Sequence, residues 1–242
     1  MPDITEIQIG GCGMANDEMK KAVAEKAVDE YVKDGMTVGL GTGSTAYYAI
    51  NRVGYLANEK GYKLRCVATS VRSEEQARGL GLEVLDVNDV DCINVTIDGA
   101  DEVDPNMQLI KGLGGALIRE KIVAAASENE VIIVDETKLV DKLGTRCSLP
   151  VEVVKFGHLK TKFALEQQKC EAVLRLGEDG KPFVTDNGNY IYDCKFDSIE
   201  NPFFLESRIN VIPGTVDNGL FLNTASTVLI SHRDGSIEKK GL

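Results

Sequence analysis

The sequence predicts an α/β protein: a Rossmann-like parallel sheet covered by helices, joined to a second, smaller α+β domain. Compact apolar runs, among them "MTVGL", "CINVTI" and "EVIIVD", alternate with amphipathic stretches. Strands that alternate with helices pair in parallel and are buried on both faces, so each reads as a continuous apolar run. "GTGST" and "DGADEVD" each follow directly on such a run, at the strand ends where open α/β sheets carry their ligand loops. Beyond Leu149-Pro150 the stretches become hairpin-like, which sets the smaller unit apart.

Taken in order, Asn16-Asp17 offers a cap for a first helix, with Met19, Val23, Ala27 and Tyr31 spaced as a buried stripe. Gly35 ends it, and "MTVGL" forms the first strand. "GTGST" opens a second helix through Ala46, Ile50, Val53 and Ala57. "KLRCVAT" is a strand, "VRSEEQARGLG" a helix and "LEVLDV" a strand. "CINVTI" delivers Asp98 and is followed by a glycine-interrupted loop, the helix "ALIREKIVAAAS" and the strand "EVIIVD". In the second unit "PVEVVKF" reads as a strand and "HLKTKFALEQQK" as a helix. "EAVLRLGEDGKPFVTDNGNYIYDCKF" reads as a hairpin turned at Asp179-Gly180. "STVLISHRDGSIEKKGL" returns as a buried strand and a glycine-turned hairpin that rejoins the first sheet. The domain boundaries expected are an extension over 1–15, a catalytic domain over 16–149 plus about 216–242, and a small domain over about 150–215.

The 242 residues carry a formal net charge of −11, which opposes a polyanion and argues against nucleic acid as a partner. A small anion held by a few cations and amides remains compatible with that charge. No apolar run approaches the roughly 20 residues of a membrane helix, and the acidic N-terminus lacks the pattern of a signal peptide. A start-like Met14 and Gly10, Gly11 and Gly13 suggest that residues 1–13 lie outside the working domain. Six cysteines without a CxxC pair fit reduced thiols and a cytoplasmic location. With only His158 and His232 present, the chemistry falls to carboxylates and lysines.

"GLGTGST" suits phosphate: glycine allows a tight turn and close backbone approach, and a helix N-terminus presents unpaired N–H groups. It lacks the lysine of a Walker loop. The next strand ends in Ala68-Thr69-Ser70, where a dinucleotide fold would place an acidic ribose ligand. The plainer reading is a turn capped by Ser44. Asp98, Asp101, Glu102 and Asp104 do not follow the calcium-loop spacing. A solvated turn explains Glu102 and Asp104, but not Asp98 at the end of a buried strand. Glycines at 112, 114 and 115 leave Lys111 open to a ligand. By spacing alone Glu120 reads as an exposed helical glutamate and Lys138 as an ordinary lysine.

"VGLGTGSTA", "IDGADEVD…IKGLGGALIREKI" and "LPVEV", with "VDETKLV" and "IPGTVDNGLF" behind them, resemble the A-type ribose-5-phosphate isomerase family from about residue 16 onward. The resemblance implies interconversion of D-ribose 5-phosphate and D-ribulose 5-phosphate without metal or cofactor, in the non-oxidative pentose phosphate pathway. It implies a small sugar phosphate as partner and a dimer or tetramer of this chain. It makes Glu120 the general base, Lys111 the catalytic lysine, and Asp98 and Asp101 the loop aspartates. Substrate binding falls to Thr42, Gly43, Ser44 and Thr45, to Gly99 and Ala100, to Gly112, Leu113 and Gly114, and to Lys138 and Lys20. Leu113 replaces a small or polar residue and Ile118 a threonine. Neither change removes a reacting group.

Such an isomerisation takes a proton from the carbon next to a carbonyl and returns it to the neighbouring carbon. One carboxylate facing both carbons can do this, and a fixed cation steadies the enediolate between the two steps. Asp98 is expected to carry the oxygen protons and Asp101 to orient hydroxyls. A sugar-phosphate sensor on the same fold would keep the phosphate turn but lack Glu120 and Lys111. A transferase using a carboxylate nucleophile toward a thioester is the other alternative.

Overall fold

The computed structural model describes residues 12–241. Most of the extension expected over 1–15, Gly10 and Gly11 included, lies outside them. α1 (Cys12–Tyr31) starts earlier than the expected cap. No proline intervenes and Met14 and Ala15 are good helix formers, so Asn16-Asp17 falls within the helix. β1 (Thr37–Leu40), α2 (Ser44–Lys60), β2 (Arg65–Ala68), α3 (Val71–Gly79) and β3 (Glu83–Val84) follow. β4 (Val95–Asp98), β5 (Glu102–Val103), β6 (Leu109–Ile110), α4 (Leu117–Ala125) and β7 (Glu130–Asp135) complete the first half. The second half comprises β8 (Leu149–Val153), α5 (His158–Glu166), β9 (Glu171–Leu174), β10 (Tyr190–Lys195), α6 (Pro202–Asn210), β11 (Thr215–Asn218), β12 (Leu220–Phe221), β13 (Thr227–Ser231) and β14 (Ile237–Gly241).

The main sheet has the order β14-β13-β7-β4-β1-β2-β3 and is parallel apart from β14. Its core residues alternate between two faces, as the strand period requires. Val38, Val95, Ile97, Val131, Ile133 and Leu229 pack with Val23, Ala27, Ile50 and Val53 from α1 and α2. Ile132, Val134, Val228 and Ile230 pack on the other face with Ala124, Val103, Leu109 and Phe221. The chain runs outward from β1 through β2 to β3, then returns to β4 on the other side of β1. β1 and β4 are therefore the topological switch point, where side-by-side strands send their connections in opposite directions and open a crevice at their carboxyl ends.

A second, four-stranded antiparallel sheet, β11-β8-β10-β9, has its own core of Leu149, Val151, Val153, Leu165, Tyr192 and Ile209. Three features depart from the sequence reading. "LEVLDV" forms only the two-residue β3, because Glu83 and Asp86 are exposed and the run is half-buried at the sheet edge. The glycine-interrupted loop contains β5 and β6, which pair with each other and, through β6, with β12. The hairpin between β9 and β10 turns at Gly180 as expected, but a second turn closes where the Thr185 N–H donates to the Asn189 carbonyl.

Candidate active site

Two loops meet at the switch point. β1 ends at Leu40, and Gly41-Thr42-Gly43 leads into α2, whose start has no side-chain cap. Ser44 therefore does not cap its own helix, and the first-turn amides are left for another acceptor. The Thr42 hydroxyl is engaged behind the loop with Thr69 at 2.7 Å and Ser70 at 2.8 Å. β4 ends at Asp98, fully buried, whose Oδ1 accepts from the amides of Thr42 at 2.9 Å and Gly99 at 2.7 Å. One carboxylate thus joins both loops.

The contact is so close that a Cβ on Gly41 would lie 2.6 Å from the Asp98 Cα. The Asp98 Cα is strand backbone, so the clash cannot relax through a flexible side chain. Gly41→Ala is expected to lower the melting temperature by an amount equivalent to about 1–3 kcal/mol and to reduce turnover by displacing Asp98. Thermal unfolding and a rate assay on the same preparation check this.

β6 runs into Lys111, whose N–H donates to the Gly219 carbonyl at 2.9 Å, holding the backbone from the far side. The Lys111 side chain is 2 % exposed, and Phe221 lies under its ammonium at 5.3 Å. Nζ donates to the Gly99 carbonyl at 2.5 Å and sits 2.9 Å from Asp98 Oδ2, in ion-pair contact off the hydrogen-bond line. Glu120, in the first turn of α4, brings Oε1 to 3.5 Å from the same ammonium. Its Oε2 is buried and makes no hydrogen bond with the chain. Lys111 is the cation at the centre of a buried carboxylate pair.

These groups border a cavity of about 170 Å³. Ser44, Thr45, Lys20 and Lys138 line it together with Glu120, Lys111 and Asp101. A cavity with ammonium groups and helix amides beside a carboxylate–lysine pair can hold a small anion and move a proton on it.

Residues 65–235 match the model of the ribose 5-phosphate isomerase A (phosphoriboisomerase A) family. Ribose-5-phosphate isomerase A of Dinoroseobacter shibae is 44% identical over 93% of this chain and 88% of its own length. The chain belongs to the ribose 5-phosphate isomerase A family. The Bacillus mycoides member is likewise 44% identical, over 89% of this chain and 96% of its own. Among solved structures, ribose 5-phosphate isomerase from Plasmodium falciparum superposes with a TM-score of 0.90 at 41% identity. It covers 93% of this chain and 99% of that one. A D-ribose-5-phosphate isomerase in complex with phospho-erythronic acid gives a TM-score of 0.90 at 38% identity, with the same two coverages.

Of the family positions named from sequence, Lys20, Thr42, Gly43, Ser44, Thr45, Gly99, Ala100, Asp101, Lys111, Gly112, Gly114, Glu120 and Lys138 border the cavity. Asp98 lies behind Lys111 instead, and the Leu113 side chain is half exposed while its N–H donates to Asp101 Oδ2 at 3.0 Å. Glu120 is buried, not the exposed helical residue its spacing suggests. Asn16, Asp135 and Thr137 also border the cavity and were missed. Asp135 carried a readable signal, since it closes the apolar run "EVIIVD" just as Asp98 closes "CINVTI". Asn16 carried none beyond its reading as a cap. Its buried Oδ1 has no hydrogen-bond partner in the chain.

Burial pushes the Glu120 carboxyl up to about 8; Lys111 opposes this, and Asp98 and Asp101 add to it. Burial likewise raises Asp101, against the Leu113 amide and the charges of Lys111 and Lys138. For Lys111, burial disfavours the charge, but Asp98, Glu120 and Glu130 overcome it and hold the group as an ammonium.

Proposed function

We propose that Glu120 is the base and Lys111 the electrophile with which this chain interconverts D-ribose 5-phosphate and D-ribulose 5-phosphate, the reaction of its family. The observation that carries the assignment is the Glu120 carboxylate 3.5 Å from a buried ammonium at the wall of one cavity. The phosphate rests on the first-turn amides of α2, with the Ser44 and Thr45 hydroxyls and the ammonium groups of Lys20 and Lys138 around it. Anchoring that end holds C1 and C2 over Glu120, which supplies the orientation such a reaction needs.

From the open-chain aldose, Glu120 takes the proton on C2. Electron density flows to the C1 oxygen, and the negative charge of the enediolate falls beside Lys111. The same carboxyl returns the proton to C1, the C1 oxygen having been protonated and the C2 hydroxyl deprotonated to leave a ketone at C2. The relative bound to phospho-erythronic acid supports this reading, because a carboxylate on a phosphorylated four-carbon chain presents paired oxygens as an enediolate does.

The oxygen protons are reassigned from the sequence expectation. Asp98 is fully buried, with Oδ1 taken by two amides and Oδ2 against the ammonium. Its part is to hold Lys111 and tie the two loops. Asp101 borders the cavity and has a raised pKa, so it carries the oxygen protons.

A base with a pKa near 8 is mostly protonated, and therefore idle, in neutral solution. The value of kcat/KM is expected to rise with pH and to level off above about 8, as a pH series on ribose 5-phosphate measures. A flat profile between pH 6 and pH 9 would remove Glu120 as the titrating base. Conversion of ribose 5-phosphate by the purified chain is the direct test of the function.

The surface around α5 supports a homo-oligomer. Phe156 is 94% exposed, and Leu159 and Phe163, four residues apart on α5, are both 66% exposed. Apolar side chains so grouped mark an interaction face, and a second copy of this chain is its occupant. Light scattering is expected to give a homo-oligomer, and Phe163→Glu to reduce its size. The free thiols Cys66, Cys92, Cys147, Cys170 and Cys194 support a reducing, cytoplasmic setting. Among the described residues, no helix is long and apolar enough to cross a membrane.

A further inference from the structure

The backbone beside Lys111 is held from behind by the second sheet. Arg175, immediately after β9, directs Nε to Asp193 Oδ2 at 2.9 Å and one terminal nitrogen to Asp193 Oδ1. The other terminal nitrogen donates to two carbonyls, those of Gly112 and Leu113, each at 3.0 Å. The side chain is only 13% exposed. Four donated hydrogen bonds in one fork fix a guanidinium far more tightly than a surface ion pair does.

A trans peptide points its C=O and N–H in opposite directions. Anchoring the carbonyls of Gly112 and Leu113 on Arg175 therefore turns the amides of Leu113 and Gly114 the other way. The Leu113 amide does meet Asp101 Oδ2, at 3.0 Å, and Gly112 and Gly114 border the cavity. A cation at the carbonyl end also polarises each peptide, which strengthens its N–H as a donor. Phe183, from the same long hairpin, closes the loop's outer side: a Cβ on Gly115 would come within 2.5 Å of its ring. The tip of that hairpin reaches α4, where Arg119 Nε donates to Asn187 Oδ1 at 3.1 Å, one residue from Glu120.

We propose that Arg175 is a positioning residue for the isomerisation: from outside the cavity, its guanidinium sets the 112–114 backbone so that the Leu113 amide holds Asp101 and Lys111 stays aligned with Glu120. This rests on the assignment of Glu120, Lys111 and Asp101 above. Arg175 touches no reacting atom. Its removal therefore costs alignment, and a misplacement on the order of 1 Å lowers rate by up to about 10²-fold.

The test compares Arg175→Met, Arg175→Lys and Asp193→Asn with the unmodified chain, using steady-state conversion of ribose 5-phosphate and thermal unfolding. Arg175→Met is expected to lower kcat by about 10–10²-fold while KM changes less. Arg175→Lys, which keeps a cation but not the fork, is expected to fall in between. Asp193→Asn loosens the guanidinium without deleting it and is expected to lower kcat with the fold intact. This last variant decides the matter should the methionine variant fail to fold. A folded Arg175→Met with kcat within about twofold of the unmodified chain overturns the proposal, as does an Asp193→Asn variant with undiminished kcat. A loss confined to KM also overturns it, because it would make Arg175 a binding element. An unmodified chain that does not convert ribose 5-phosphate would instead sink the functional assignment itself, whatever the variants do.

Discussion

Glu120→Gln is expected to lower kcat by about 10²–10⁴-fold while leaving the fold as stable as before. The amide matches the carboxyl in size, and the native carboxyl is buried with a pKa near 8, so the neutral form is the one the folded state already favours. The unfolded chain releases this proton near the ordinary carboxylate value of 4.5, whereas the folded chain keeps it until about 8. Between those values the folded state binds more protons than the unfolded state, and stability falls as pH rises. Glutamine removes that loss. The variant should therefore melt no lower than the unmodified chain at pH 8 and above, with a shallower dependence of melting temperature on pH below it. Activity within a factor of a few of normal would show that another group moves the carbon-bound proton. A large loss of stability at pH 8 would mean that Glu120 serves the fold as an anion.

The main sheet was legible because its strands are buried on both faces. "EVIIVD" and "VTID" present no polar residue before their last position apart from Glu130 and Thr96, and such runs are strands at almost any sheet position. Legibility failed where pairing is non-local or half-exposed. β6 finds β12 more than a hundred residues later, and two-residue strands have no periodicity to read. Glycines that allow Lys111 to approach its partners also made its surroundings read as coil. Within the site, the family resemblance of the motifs pointed to the residues that border the cavity. Burial did not follow from spacing: Glu120 is buried and meets the Lys111 ammonium at 3.5 Å, a contact that helical periodicity does not reveal. Arg175 was invisible for the same reason, since it reads as a strand-end arginine until the hairpin folds back across residues 112–115.

Lys111→Met is expected to damage both rate and fold, and the two losses can be separated. Without its ammonium the enediolate loses a fixed donor, a loss of roughly 10²–10³ in kcat. KM should move less, because the charge that Lys111 meets develops only during reaction. The fold suffers for a different reason. Asp98 is left as a carboxylate at 0% exposure facing no cation, and stranding one member of a buried pair costs about 3–5 kcal/mol. Neutralising the stranded partner should repair this. The double variant Lys111→Met with Asp98→Asn is therefore expected to melt well above Lys111→Met alone, since the asparagine oxygen can still accept from the amides of Thr42 and Gly99. Its activity should not return, because the ammonium is still missing. A cycle in which the second substitution restores neither stability nor rate would show that Asp98 is not held in place mainly for Lys111. One in which it restores rate would show that the lysine's part in turnover is only to neutralise Asp98.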